Sequence, residues 1–462
     1  MRRKSVLGID LGTSSVKILQ RYKDGAVIKQ KAAYESLEPA GWWMAVKKAL
    51  SRLDLKSVDG IGLSSQVGTY IIEDKEVIPW NLGIGAKELA KIKETYSAEE
   101  FVKEISMPHP DLVSYPLPRL MYILKEYPRA KKVCQPKDFI CEKLTGNYVT
   151  DPYSWRGLAN LKTKKYSDFF LNELGFPKDT LPQITGETDL AGYTRRIDLK
   201  GSDLPKGIPV YTGLNDFYSA LLGMGIANPG DMFDISGTSE HIGILEETLK
   251  MDTKMVCGPY LKHHVHYGVT ASSGASLELG LELCKTQDID LEKICTGQPP
   301  IFLPYLNGER APIWDADARG MFFGISAGCT KNELAYAVLE GVVFSLYHIY
   351  ESMGRPKAVR MKIAGGATVN PVLNQLKAEM FQIPAEIQEE TDSSALGAVM
   401  TASIGAGWFA DYEDAGKEMC RIKEQAEPSG RYEKWLQSRF SLYKELYPAV
   451  KQPYEQLRRM RK

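Results

Sequence analysis

Two short runs carry groups able to hold an anion. Residues 9–15 read "IDLGTSS" and residues 234–240 read "DISGTSE". In each, Gly, Thr and Ser follow an apolar, strand-like run. A tight turn of these residues gathers successive backbone N–H groups and two hydroxyls at one point, which suits a phosphate. One copy reads as an ordinary hairpin, since Gly and Ser are common turn residues. Two copies, each opening a similar half of the chain, read as phosphate-holding hairpins that clamp a nucleotide across a cleft.

The copies differ in one respect. Asp10 lies two residues before Gly12, whereas Asp234 lies three before Gly237. Strand side chains alternate, so Asp234 falls on the opposite face and Ile235 takes the place of Asp10. Only the first hairpin then offers a carboxylate beside phosphates, which suits one water-rich Mg²⁺ site at Asp10. No G-x-x-x-x-G-K-[ST] is present, and "GIGAKE" at Gly83 lacks the third glycine of a dinucleotide fingerprint.

The elements that must carry these turns follow from hydrophobic period. "SVLGID", "SVKILQRY" and "AVIKQKAAY" read as an antiparallel meander, "GWWMAVKKALSRLD" as a helix and "VDGIGLSSQ" as a further strand. The plan restarts near Asp231 with "DMFDISGTSEHIGIL" and "HYGVTASSG". "TKNE" is a capping box, Thr330 with Glu333, and Leu334, Val338, Val342, Leu346 and Ile349 line one face of the helix it opens. "AVRMKIAGGATVNPVLNQLKAEMF" reads as strand, double-glycine turn and helix, with Asn370 as cap and Pro371 in the first turn. The tail "KWLQSRFSLYKELYPAVKQPYEQLRRMRK" is an amphipathic helix whose basic end reads as a solvated terminus, although a homodimer contact would use it equally well.

Composition sets the bounds. At 462 residues two cores are expected, divided at the hinge-like "IANPGD" into residues 1–228 and 229–462. Lys plus Arg equal Asp plus Glu at 58 each, so no net field favours nucleic acid or a membrane, and the expected partner is a small molecule. "VLGIDLG" carries an Asp where a signal peptide needs an apolar core, and no run reaches the roughly 18 apolar residues of a membrane span, so the expectation is a cytoplasmic protein. Seven cysteines without a C-x-x-C pair read as reduced, mostly buried thiols. "HHVH" (His263, His264, His266) reads as a strand with partly exposed imidazoles, and Glu309 with Arg310 as an ion pair at a cleft rim.

On these motifs the chain resembles a known group. "GIDLGTSSVKI", "DISGTSEHIGI" and "MKIAGGATVNP" look like the two phosphate motifs and the adenosine motif of the sugar kinase, heat-shock chaperone and actin superfamily. "GMFFGISAGCTKNELAYAVLEG" (320–341) is similar to the C-terminal signature of the FGGY carbohydrate kinases, "PKDFICEKLTGNYVTD" resembles a further motif of that family, and "FLPYLNGERAP" resembles its xylulokinase branch. The resemblance implies a two-domain α/β fold, actin-like and ribonuclease H-like, with mixed sheets flanked by helices and ATP in the inter-domain cleft. It implies ATP with Mg²⁺ as cofactors and a ketose as acceptor. Phosphates would fall to Gly12, Thr13, Ser14, Ser15, Gly237, Thr238 and Ser239, Mg²⁺ to Asp10 through water, and adenosine to Gly365, Gly366 and Asn370. In "TGLNDFYSALLGMG" Asp216 matches the family's catalytic base; on its own it reads first as a helix N-cap, a role that does not exclude catalysis.

The acceptor side departs from the resemblance. "SSQVGTY" keeps Gln66 but has Val67 and Gly68 where xylulokinases have Met and His. "PWNLGIG" keeps Trp80 without the Asp and Arg of W-x-D-x-R, and Phe217 stands where Asn would follow Asp216. A site that has lost donors and acceptors has little ground to select the hydroxyls they recognised. A ketose, a polyol or another hydroxylated acceptor stays open, as does an ATP-binding sensor with weak catalysis.

Overall fold

The computed structural model describes residues 3–109, 112–237, 239–252, 254–284, 289–295 and 297–460. They form two compact units. The first comprises 1–227, 258–262 and 392–421, and the second 228–257, 263–391 and 422–462. Each is an α/β unit built on a mixed sheet flanked by helices.

In the first unit, β1 (Ser5–Leu11), β2 (Ser15–Tyr22) and β3 (Val27–Ala33) form the expected antiparallel meander. Helix α1 (Pro39–Leu50) follows and buries Trp42, Ala45, Val46, Ala49 and Leu50. It leads to β4 (Val58–Ser65), which lies parallel to β1. β5 (Leu190–Tyr193) and β6 (Pro209–Asn215) complete the sheet in the order β5-β6-β4-β1-β2-β3. Helix α2 (Asp216–Gly223) begins where β6 ends.

The helix Ser393–Gly405 also belongs to this unit, although the sequence places it far beyond β6. Its backbone rests directly on the sheet: a Cβ at Gly8 would come within 2.3 Å of Ala395 O, and one at Gly62 within 2.0 Å of Ala398 O. Only glycines on β1 and β4 allow that approach.

The second unit starts with β7 (Asp231–Ser236) and β8 (Glu240–Glu246), an antiparallel hairpin. β9 (Val256–Tyr260) and β10 (His263–Thr270) follow. Helix α3 (Lys331–Ser352) has the predicted Thr330–Glu333 capping box. It is buried continuously from Ala335 to Tyr347 instead of along one stripe, because helices as well as the sheet pack around it. β11 (Arg360–Gly365), α4 (Pro371–Phe381), β12 (Ala385–Gln388) and β13 (Ile422–Ala426) complete a sheet ordered β9-β10-β8-β7-β11-β12-β13.

The tail helix α5 (Glu433–Arg459) buries Leu436, Phe440, Tyr443, Leu446 and Tyr454 in this core. Its Arg439 donates to the buried Glu340 of α3 at 2.6 and 2.7 Å. The basic end stays largely exposed, with Arg458 3.2 Å from Asp317. His266 differs from the expectation of exposure: it is buried, with Nε2 3.1 Å from Asp252 Oδ2. Cys134, Cys141 and Cys257 are buried free thiols, while Cys295, Cys329 and Cys420 are half-buried.

Candidate active site

In the first unit the hairpin between β1 and β2 is closed from within. Gly12 N–H donates to Ser15 O at 3.0 Å, and the end of β3 holds the turn through Tyr34, whose hydroxyl donates to Gly12 O and whose N–H donates to Ser14 O, both at 3.1 Å. Ser15 is buried, whereas Thr13 and Ser14 are exposed. The tip, Thr13 and Ser14, is therefore what this hairpin can offer an anion, while Gly12 and Ser15 shape it.

Asp10 sits at the base of that turn, only 3% exposed. Its Oδ1 accepts from Ser64 Oγ at 2.8 Å and its Oδ2 from Ser394 Oγ at 2.7 Å. Burial pushes the carboxyl up from its ordinary range, and the two serine bonds oppose the shift by favouring the anion. Neither serine was singled out in the sequence, because nothing local to Asp10 signals Ser394.

Asp216 is the first residue of α2 and is half-buried. The N-cap is its neighbour: Asn215 Oδ1 accepts from Tyr218 N–H at 3.1 Å, and Asn215 Nδ2 donates to Tyr153 O at 2.9 Å. The capping alternative for Asp216 is thereby overturned, because a side chain that precedes it already satisfies the helix. Asp216 Oδ1 accepts from the adjacent Phe217 N–H at 2.8 Å. Loss of water pushes its carboxyl up to about 7, the charge of Asp10 adds to the rise, and Arg156 pulls it back.

Arg156 is a residue that motif reading missed. It is buried, and its guanidinium carbon lies 5.0 Å from the Tyr218 ring, 5.4 Å from Tyr115 and 5.6 Å from Phe217. Phe217 thus serves as part of the aromatic seat of a cation beside Asp216.

The other residues expected on the acceptor side are held through their own backbone N–H groups. Gln66 N–H donates to Leu11 O at 2.8 Å. Gly68, at φ +83°, donates to Gln135 Oε1 at 3.0 Å, and a Cβ there would come within 2.8 Å of Ser114 Cβ. A side chain is excluded at Gly68 by the backbone itself, and Val67 is half-buried beside it. Trp80 N–H donates to Thr69 Oγ1 at 3.2 Å, which brings the tryptophan next to the segment of Gln66. Buried Arg119, on the helix Pro116–Glu126, donates to Pro79 O, Trp80 O and Leu82 O at 3.1, 3.3 and 2.9 Å and so organises this loop.

In the second unit the turn after β7 is one residue shorter than the first, and Gly237 N–H donates to Ser239 O at 3.0 Å. Gly237 is exposed and Ser239 half-buried; Thr238 lies outside the described residues. Asp234 is not presented at this turn: it is fully buried against Lys377. Gly365, at φ +101°, runs so close to β7 that a Cβ would lie 1.9 Å from Ser236 O, and Gly366 opens onto empty space. Asn370 caps α4 through Leu373 N–H at 3.1 Å, as predicted. Ser236, absent from the sequence-based set, joins the two turns: its Oγ donates to Ala364 O at 3.0 Å and accepts from Ala367 N–H at 3.1 Å. Glu309 is no rim residue. It is 4% exposed and accepts from Thr270, Ala271, Ser272 and the Arg310 N–H at 2.6 to 2.8 Å.

Among the described residues no cluster of three His, Cys, Asp or Glu could cage a metal. A hard cation held mainly by water still suits Asp10, whose charge is felt at Asp216, because Mg²⁺ keeps several waters and takes one or two carboxylates. No helix among the described residues is long and apolar enough to cross a membrane.

Comparison with known proteins places the chain. The sequence matches the N-terminal domain of the FGGY family of carbohydrate kinases over residues 5–223 and the C-terminal domain over 234–406. A xylulose kinase of Staphylococcus xylosus is 27% identical, covering 96% of this chain and 99% of that protein. A glycerol kinase of Aquifex aeolicus is 28% identical, covering 88% and 91%. The solved gluconate kinase of Lactobacillus acidophilus matches with a TM-score of 0.84 at 25% identity, covering 99% of this chain and all of that one. These relatives are named for three different acceptors. Both domains, however, are matched in order, and the chain belongs to the FGGY family of carbohydrate kinases, phosphotransferases with an alcohol group as acceptor.

Proposed function

We propose that the protein transfers the γ-phosphoryl group of MgATP to a hydroxyl of a small ketose, with Asp216 as general base. The observation that carries the proposal is the state of Asp216. It opens α2 without being used as the cap, and burial pushes its carboxyl up to about 7, where a base is effective at physiological pH. Phosphoryl transfer asks for positioning and charge stabilisation more than covalent help. The tips of the two hairpins, Thr13 with Ser14 and Gly237 to Ser239, would take phosphates, and the Gly365–Gly366 turn with Asn370 would border adenosine. Asp10 would hold Mg²⁺ through water, and the ion would supply neutralising charge. Asp216 takes the proton of the acceptor hydroxyl as its oxygen bonds to phosphorus and the bridging bond to ADP breaks.

The ketose assignment draws support from xylulose kinases at 27% and 28% identity over more than nine-tenths of the chain. A second reading is favoured by Arg156. A buried guanidinium beside the base would complement an acidic acceptor such as an aldonate, in line with the gluconate kinase named above. The test is ADP release with MgATP across ketoses, polyols and aldonic acids against a control without acceptor. Strong stimulation by a ketose supports the first reading, and by an aldonate the second. ATP binding with no stimulation by any acceptor would instead favour the ATP-binding sensor.

A further inference from the structure

Lys377 lies on α4 with its side chain completely buried, and it faces two carboxylates that are equally buried. Its Nζ donates to Asp234 Oδ2 at 2.5 Å and to Glu240 Oε1 at 2.6 Å. The two acceptors stand on opposite strands of the second hairpin, Asp234 on β7 and Glu240 at the first position of β8. One ammonium therefore clasps both strands just behind the turn at Gly237. The second oxygen of Glu240 accepts from Ser273 Oγ at 2.6 Å, and Gly274 N–H donates to Gly237 O at 3.1 Å, so the turn is held from two further points.

The other end of α4 is the turn after Gly365, with Asn370 as cap. β11 leads into that turn and runs parallel to β7, with Ser236 opposite Gly365. The phosphate hairpin and the glycine turn are thus joined twice: at their tips by Ser236, and behind the hairpin by Lys377.

We propose that Lys377 is a positioning residue that fixes the second hairpin relative to the Gly365–Gly366 turn, so that a nucleotide resting on the glycine turn meets the hairpin's phosphate-binding groups in register. This rests on the reading of both turns as nucleotide-binding. A buried ion pair is weak evidence for stability, since well-packed apolar replacements are often as stable. What such a pair can do is select one arrangement of the elements it joins, and these are the two turns that matter for nucleotide. The charges are consistent with that task. Burial and Glu240 hold the Asp234 carboxyl well above its usual range, while Lys377 and its hydrogen-bond donors keep Glu240 ionised. The trio is close to neutral and adds no net negative charge behind a site for phosphates.

The experiment compares ADP with adenosine. Affinity for each is measured by titration NMR on the full chain as wild type, as Lys377→Met, and as the triple variant Asp234→Asn, Glu240→Gln, Lys377→Met, which removes every charge of the trio. Both variants are expected to lose about tenfold or more in ADP affinity with adenosine affinity nearly unchanged, because a misplaced phosphate cradle costs only ligands that carry phosphates. A merely structural lysine would alter both ligands together or neither, and that result overturns the proposal. So does a triple variant that regains the wild-type preference for ADP, since the clasp would then matter only through charge. If Lys377→Met does not fold, the triple variant decides. Wild-type protein that binds neither ligand would instead refute the nucleotide-site reading, and the inference with it.

Discussion

Ser394 Oγ donates a 2.7 Å hydrogen bond to Asp10 Oδ2, joining the first strand to a helix 384 residues further along the chain. The bond favours the ionised form of a carboxyl that burial drives toward the neutral one. Ser394→Ala should therefore make Asp10 harder to ionise and weaken its hold on a cation. The expected result is a several-fold rise in the Mg²⁺ concentration for half-maximal ADP release, with a loss of about 2 kcal/mol in stability, as for other bonds to charged groups. Magnesium titration and denaturant melts read the two effects separately.

On the proposed role, the titration of Asp216 should set the acid side of the pH profile. Its carboxyl is raised to about 7, so below that pH the proposed base is protonated and cannot accept a proton. kcat/KM for the acceptor should fall with decreasing pH through that region, approaching tenfold per unit. Arg156 lowers the same group, so Arg156→Gln should move the limb to higher pH. A limb near pH 4 in the wild type, or one that Arg156→Gln leaves in place, would contradict this account of the site.

Gly68 tests why the acceptor side differs from xylulokinases. At φ +83° and with Ser114 Cβ only 2.8 Å from an added Cβ, the position cannot take a side chain without shifting its surroundings. Gly68→Ala should cost roughly 1–3 kcal/mol in an equilibrium unfolding measurement. Gly68→His should fare no better and should not install the missing imidazole. A stable, fully active Gly68→His protein would show that the loop has another conformation.

Much of this was legible from sequence wherever the signal is local. The capping box at Thr330 and the Asn370 cap depend on residues within one helical turn, the meander of β1 to β3 on strands consecutive in the chain, and all are present in the structure. What sequence could not give depends on long-range contact. Asn215, not Asp216, caps α2, and only the fold shows which of two adjacent cap-formers is used. Ser394, Arg156 and Arg119 reach their partners across tens to hundreds of residues. His266 is buried where its strand pattern suggests partial exposure, because alternation along a strand does not reveal what packs on its far face. Lys377 looks like one more helix lysine until Asp234 and Glu240 are seen around it.

The central claim, that Asp216 is the base of a phosphoryl transfer, is tested most directly by Asp216→Asn. ATP affinity and acceptor-stimulated ADP release would be measured side by side for this variant and the wild type. The account predicts ATP binding within a few-fold of wild type and turnover lower by at least about a hundredfold, as for loss of a general base. Near-normal turnover with normal ATP binding would contradict it.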